Sequence, residues 1–207
     1  MKRNGLAAVG MIVVAMLVGG QAGGCGASTP KRTGFLSDYS NLTEASSTSF
    51  RYIGPRQTTR AYTSFMIDPV TMLAYEADKP NPSIGELGGY FETTLTEALE
   101  PEYPVVTEPG PGVARIRIAI TNAKASKWFL RLHPVGMLAG AGMGEAAMEA
   151  EFVDSVTGEQ VAALVEAQRG RRLELDAFSK YDDARDAIDD WCKRIRERLD
   201  EIHTNAD

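Results

Sequence analysis

Apolar and polar positions alternate most cleanly over residues 113–121. Ala114, Ile116, Ile118 and Ile120 share one side of an extended chain, and Arg115, Arg117 and Ala119 share the other. The pattern predicts a strand of an antiparallel or mixed sheet covered on one face, with the arginine face partly wet. Residues 61–67 alternate in the same way. Asp68-Pro69 ends or bends that strand, because the residue before proline favours extended geometry, and residues 70–74 continue it. Residues 148–154 and 160–167 form a hairpin around Asp154–Glu159, in which Gly158 supplies a positive φ. Val105-Val106 is a short strand at best.

Two stretches switch to helical spacing. Ser83 and Glu86 form a capping box, followed by Ile84, Leu87, Phe91, Leu95 and Leu99 on one face, and Pro101 and Pro104 close the helix. Residues 182–203 carry a second stripe: Ala184, Ile188, Trp191, Cys192, Ile195, Leu199 and Ile202. Its acids lead and its bases follow, which complements the helix dipole. Asp189–Lys193 and Asp190–Arg194 are favourable i,i+4 pairs. Near the start, Phe35, Leu36, Tyr39 and Leu42 are spaced to dock as one face, and the chain is then irregular up to Pro55. The order β–α–(β)–β–β–β–α predicts an α+β fold: a four- to five-stranded, mainly antiparallel sheet with two helices covering one face.

The first 25 residues are of another kind. Lys2-Arg3 precede an apolar run at residues 6–18, and small residues lead to Cys25. This is the layout of an export signal, and the run is shorter than the roughly 20 residues a membrane span needs. An uncleaved anchor, or a signal cut elsewhere, is the alternative. Ala22-Gly23-Gly24-Cys25 resembles the bacterial lipobox, although Ala22 stands where Leu is usual. The resemblance implies that the Cys25 thiol takes a diacylglycerol, that the chain is cut before it, and that the new amine is acylated (palmitate-type chains). Gly26 in place of Asp implies the outer membrane, with the mature chain facing the periplasm. The expected organisation is a signal peptide at 1–24, a lipidated tether at 25–34 and a single α+β periplasmic domain at 35–203.

Composition narrows the function classes. Loss of Lys2 and Arg3 with the leader moves the net charge from −6 to −8, which argues against nucleic-acid binding. With Cys25 acylated, Cys192 has no partner for an internal disulfide. His133 and His203 show no zinc spacing with cysteine, so no metal site is expected. No cofactor motif is found, and no Ser–His–Asp or Cys–His constellation has a persuasive spacing, so an enzyme is not expected. Cys192 reads as core, and Asp154, Thr157 and Glu159 read as turn residues.

The candidate surfaces are Gly136, Gly140 and Gly144, spaced four apart in an apolar run, and Arg115 with Arg117. The glycine run is either an apolar loop touching lipid or a partner chain, or a crossover packed on the domain.

Residues 34–39 (Gly-Phe-Leu-Ser-Asp-Tyr), 51–55 (Arg-Tyr-Ile-Gly-Pro), 67–70 (Ile-Asp-Pro-Val), the Asp154…Thr157-Gly158-Glu159 hairpin and the Trp191 helix resemble a family of uncharacterised lipoproteins of Gram-negative bacteria. The resemblance spans residues 34–202 and implies an exported lipoprotein without naming an activity. The expected function is an outer-membrane lipoprotein held by an N-terminal lipid anchor, whose non-enzymatic domain binds an envelope protein partner or forms a homo-oligomer. The alternative is a periplasmic module for a lipid or small ligand.

Overall fold

A computed structural model describes residues 29–73, 82–100, 102–124, 145–169 and 182–204. Its strands are β1 (Thr43–Ser46), β2 (Ser49–Ile53), β3 (Ser64–Ile67), β4 (Thr71–Met72), β5 (Val113–Lys124), β6 (Glu145–Asp154) and β7 (Gln160–Arg169). Its helices are the single turn α1 (Arg56–Thr59), α2 (Pro82–Leu99) and α3 (Asp182–Thr204). The strands form one sheet in the order β1-β2-β7-β6-β5-β3, with β4 also on β5.

The α+β class holds, but among the described residues the sheet has seven strands rather than four or five and is mixed. β3 and β4 run parallel to β5, while every other pair is antiparallel. The parallel edge follows from connectivity: α2 lies between β4 and β5, and a crossover helix returns the chain to the end where β3 begins. The added strands at the opposite edge, β1 and β2, come from the stretch read as irregular. There Phe50 and Tyr52 alternate with Arg51, and β2 pairs with β7 from Ser49↔Glu166 to Ile53↔Ala162.

The two long helices cover one face, as expected. Leu87, Phe91, Leu95 and Leu99 of α2 are buried, as are Ala184, Ile188, Trp191, Cys192, Ile195 and Leu199 of α3. They pack on Ala114, Ile116, Ile118 and Ile120 of β5 and on Met148 and Ala150 of β6. Phe91 and Trp191 stack across the helix pair, with ring centroids 6.1 Å apart and planes 12° from parallel. Arg56 and Arg60 donate to the α3 carbonyls of Glu201 and Ile202, both at 2.7 Å, satisfying a helix end that lacks intrahelical partners.

Two expected ion pairs of α3 are replaced. Asp189 accepts the Tyr90 hydroxyl at 2.7 Å, and Arg194 reaches Glu166 on β7. Lys193 pairs instead with Glu197. The hairpin forms as read: Gly158 has φ 75°, and Asp154 Oδ1 accepts the N–H groups of Val156 and Thr157.

The second face is not simply wet. Residues 29–42 lie across it as a strap. Leu36 is buried there with Ala163 and Val165, and Phe35, Tyr39, Leu42, Phe50 and Tyr52 pack around them. The helical spacing of Phe35, Leu36, Tyr39 and Leu42 did mark one docking face, although no helix forms over 29–42. Residues 29–34, assigned to the tether from sequence, belong in part to this strap: Pro30 is buried and Thr33 bonds to β6.

Candidate functional site

Among the described residues the helix face is covered over β5 and β6 but not over β2. Beyond α3 this leaves a cleft of about 320 Å³. Its floor comes from the strand positions that alternation turns toward the helices: Phe152 on β6, Ala162 and Leu164 on β7, and Ile53 on β2. Its wall is Ile195, Leu199 and Ile202, which recur at i, i+4 and i+7 on α3. Ile53 remains 40 % exposed. Covering the rest of such a side chain is worth about 1 kcal/mol.

The rim is charged. Arg51, Arg194, Arg198 and Glu166 ring the apolar floor. Glu166 gathers this edge: its Oε1 accepts the Trp191 indole N–H at 3.1 Å and the Arg194 guanidinium, and its Oε2 accepts the Ser49 hydroxyl at 3.3 Å. Arg198 is paired with Glu201 on its own helix. At the far end Tyr62 donates to Asp154 at 2.9 Å. Burial, with the Asp154 carboxylate second, pushes the Tyr62 hydroxyl up to about 12. The cleft is suited to holding apolar groups inside a polar frame.

The opposite face carries a feature that the sequence reading did not single out. Glu149 and Glu151 are fully buried, side by side on the strap face of β6. Strap amides and hydroxyls meet them. Thr33 N–H donates to Glu149 at 2.6 Å, and the Tyr39 hydroxyl donates to the same carboxylate. Ser37 N–H and hydroxyl donate to Glu151 at 2.9 and 2.7 Å, and Gln160 adds a third bond at 2.7 Å. Burial, and then the Glu149 carboxylate, raise the Tyr39 hydroxyl above its ordinary value. The signal was present in the sequence: two acids two residues apart on a strand share a face, and the strap supplies amide and hydroxyl donors near Tyr39.

Of the residues singled out from sequence, Cys25, Gly136, Gly140 and Gly144 lie outside the described residues. Arg115 and Arg117 sit on the strap face. Arg115 bonds Asp68 at 2.8 Å and keeps a side chain 44 % exposed. Arg117 is occupied within the chain, paired with Glu151 and lying over the Phe35 ring at 5.2 Å. Cys192 is buried, and desolvation pushes its thiol up to about 12. Among the described residues no group of three His, Cys, Asp or Glu is placed to hold a metal ion. Among them, too, no helix is long and apolar enough to cross a membrane.

Known proteins resemble this chain at two levels. The PelC dodecamer from Paraburkholderia phytofirmans shares 11 % identity, over 70 % of this chain and 95 % of that one, at a TM-score of 0.43. A minor lipoprotein from Acinetobacter baumannii shares 10 %, over 68 % and 94 %, at 0.32. Both are too distant to carry a functional argument. In sequence, the chain is 30 % identical over 184 residues to the uncharacterized lipoprotein YdcL of Escherichia coli (strain K12), covering 78 % of this chain and 82 % of that one. The model of the family described as "Protein of unknown function (DUF3313)" matches residues 31–195, most of the strap included, and the chain belongs to that family of uncharacterised bacterial lipoproteins.

Proposed function

We propose that this chain is an outer-membrane lipoprotein whose domain, without catalysing a reaction, holds an envelope protein partner or a second copy of itself. Residues 1–24 are removed, Cys25 is acylated, and the domain faces the periplasm. The observation that carries the binding role is the cleft beside α3. Its apolar floor and wall are left open between charged rims, with Ile53 presented at the surface. That is how the anchoring pockets of protein interfaces are built, with apolar contacts at the centre and polar groups around them. The adjacent edge strand β1 is exposed at all four residues and offers backbone groups for strand addition.

The experiment is a photo-reactive residue at Ile53, cross-linked in intact cells and read by mass spectrometry alongside sedimentation of the purified protein. A single discrete adduct, with this chain or with one other envelope protein, is expected, and it should be lost in Leu199→Arg. Absence of any adduct from a monomeric protein would contradict the partner reading.

A second reading is favoured by the volume and lining of the same cleft. About 320 Å³ with apolar walls lies at the small end of ligand pockets, and Arg51, Arg194 and Arg198 stand where the head group of an anionic amphiphile would lie. Native mass spectrometry of protein made without its acyl anchor tests this reading. A recovered lipid supports it, and a clean apo mass contradicts it.

A further inference from the structure

The strap's N-terminal part is docked in the middle of the face opposite the cleft. Thr33 sits at Glu149, which is registered with Val165 and Phe50 across β7 and β2. Arg32 lies over the rings of Tyr39 and Phe50 at 5.8 and 5.7 Å. Pro30 is already buried. Only residues 26–29 separate it from Cys25, so the two Cα atoms are at most about 18 Å apart, at ~3.5 Å per residue.

That reach is short beside the domain. To bring the helix face to a bilayer, the chain would have to pass β2 and β1, about 10 Å at ~4.8 Å per strand. It would then have to climb past the sheet and a helix layer, about 20 Å more. The docked tether cannot do both.

We infer that the strap, clasped by Glu149 and Glu151, seats the strap face of the sheet on the phospholipid surface and turns the cleft beside α3 away from it. The inference rests on Cys25 as the anchor. The occupant of the strap face is a bilayer because the chain leaves that face four residues short of its acyl chains. The exposed groups there suit a head-group layer: Lys31, Arg32, Ser40 and Asn41 are polar and solvated. The cleft is thereby open to the periplasm whatever it holds.

The clasp also has a release. Glu149 is buried, with the Thr33 N–H and the Tyr39 hydroxyl bonded to it, so docking opposes the hydration of a carboxylate. With the strap detached up to Leu42, the tether would reach about 60 Å at ~3.5 Å per residue, and orientation would be lost.

The test places a fluorophore, through an azide-bearing residue, at Asn41 on the strap face or at Lys193 on the outer side of α3, which is 73 % exposed. The mature full chain is reconstituted into vesicles of phosphatidylethanolamine and phosphatidylglycerol carrying an acceptor lipid. Energy transfer several-fold higher at Asn41 than at Lys193 is expected. The contrast should collapse in Thr33→Pro combined with Tyr39→Phe, which removes two donors to Glu149. Equal transfer, the reverse order, or a contrast that survives strap release would overturn the inference. Intact mass of the same preparation reports the acyl group. If it is absent, the anchor reading fails by itself, and coupling the Cys25 thiol to a maleimide phospholipid still measures the orientation.

Discussion

The backbone N–H of Thr33 lies 2.6 Å from Oε1 of Glu149, across 116 residues of chain. This bond, with the Tyr39 hydroxyl on the same carboxylate, makes the N-terminal segment part of the domain rather than a free leash. Glu149→Ala leaves both donors without an acceptor, and a buried orphan donor costs about 1–3 kcal/mol. The expected outcome is a loss of that size in urea unfolding, with faster tryptic cleavage at Lys31 and Arg32. Cleavage at the wild-type rate would show that the strap does not depend on Glu149.

The helix pair is held by Phe91 and Trp191, both fully buried and stacked. Trp191→Ala should cost about 3–5 kcal/mol, the range for deleting a large buried aromatic. Trp191→Phe should cost less, since it keeps a stacked ring against Phe91 and gives up the indole bond to Glu166 and part of the buried ring volume. Denaturant midpoints of the two variants, compared at equal slope, check the order.

Two tyrosines contribute to the alkaline dependence of stability. Burial first, and then Asp154 or Asp200, push the Tyr62 and Tyr103 hydroxyls from 10.0 up to about 12. A folded-state value above the unfolded one gives a contribution fully present below pH 10 and lost as pH rises through about 12. The wild type should therefore lose stability over that window. Tyr62→Phe and Tyr103→Phe should each flatten the loss, read from denaturant unfolding at stepped pH. On the acid side, the N–H groups of Thr157 and Val156 hold the Asp154 carboxyl below its ordinary value. Its contribution is present at neutral pH and lost as pH falls through that lowered value.

Cys192 faces the core of the helix pair, and burial raises its thiol to about 12. Since the thiolate is the reactive form, Cys25→Ser protein should show no reaction with Ellman's reagent when folded and one thiol when denatured. Rapid labelling of the folded protein would place Cys192 at an accessible site.

What could be read beforehand follows the strength of local periodicity. Both long helices, β5 and the β6–β7 hairpin carry their apolar residues at the spacing their geometry demands, and all four are found. β1 is exposed throughout, so its sequence Thr-Glu-Ala-Ser has no buried side to announce it. β2 alternates, but the Ser47-Thr48 turn before it lacks the Gly or Asn that marks a tight hairpin. The mixed character of the sheet depends on which strand β3 meets, a long-range choice no local pattern records. Glu149 and Glu151 were legible as one face of β6. Their burial was not, because it is created by a strap more than 100 residues earlier in the chain. Asp189 and Arg194 find partners on α2 and β7 for the same reason: tertiary neighbours displaced the i,i+4 pairs that the helix alone would favour. The cleft beside α3 depends on β2 being present, so it was out of reach without that strand.

On the proposed function, this domain works from a lipid anchor at Cys25. The most direct measurement is intact mass with membrane fractionation of the wild type beside Cys25→Ser, both carrying the full leader. An acyl-sized gain on a chain beginning at Cys25 and recovery with the outer membrane are expected, with both lost in the variant. Two unacylated proteins, both recovered free of membrane, would contradict it.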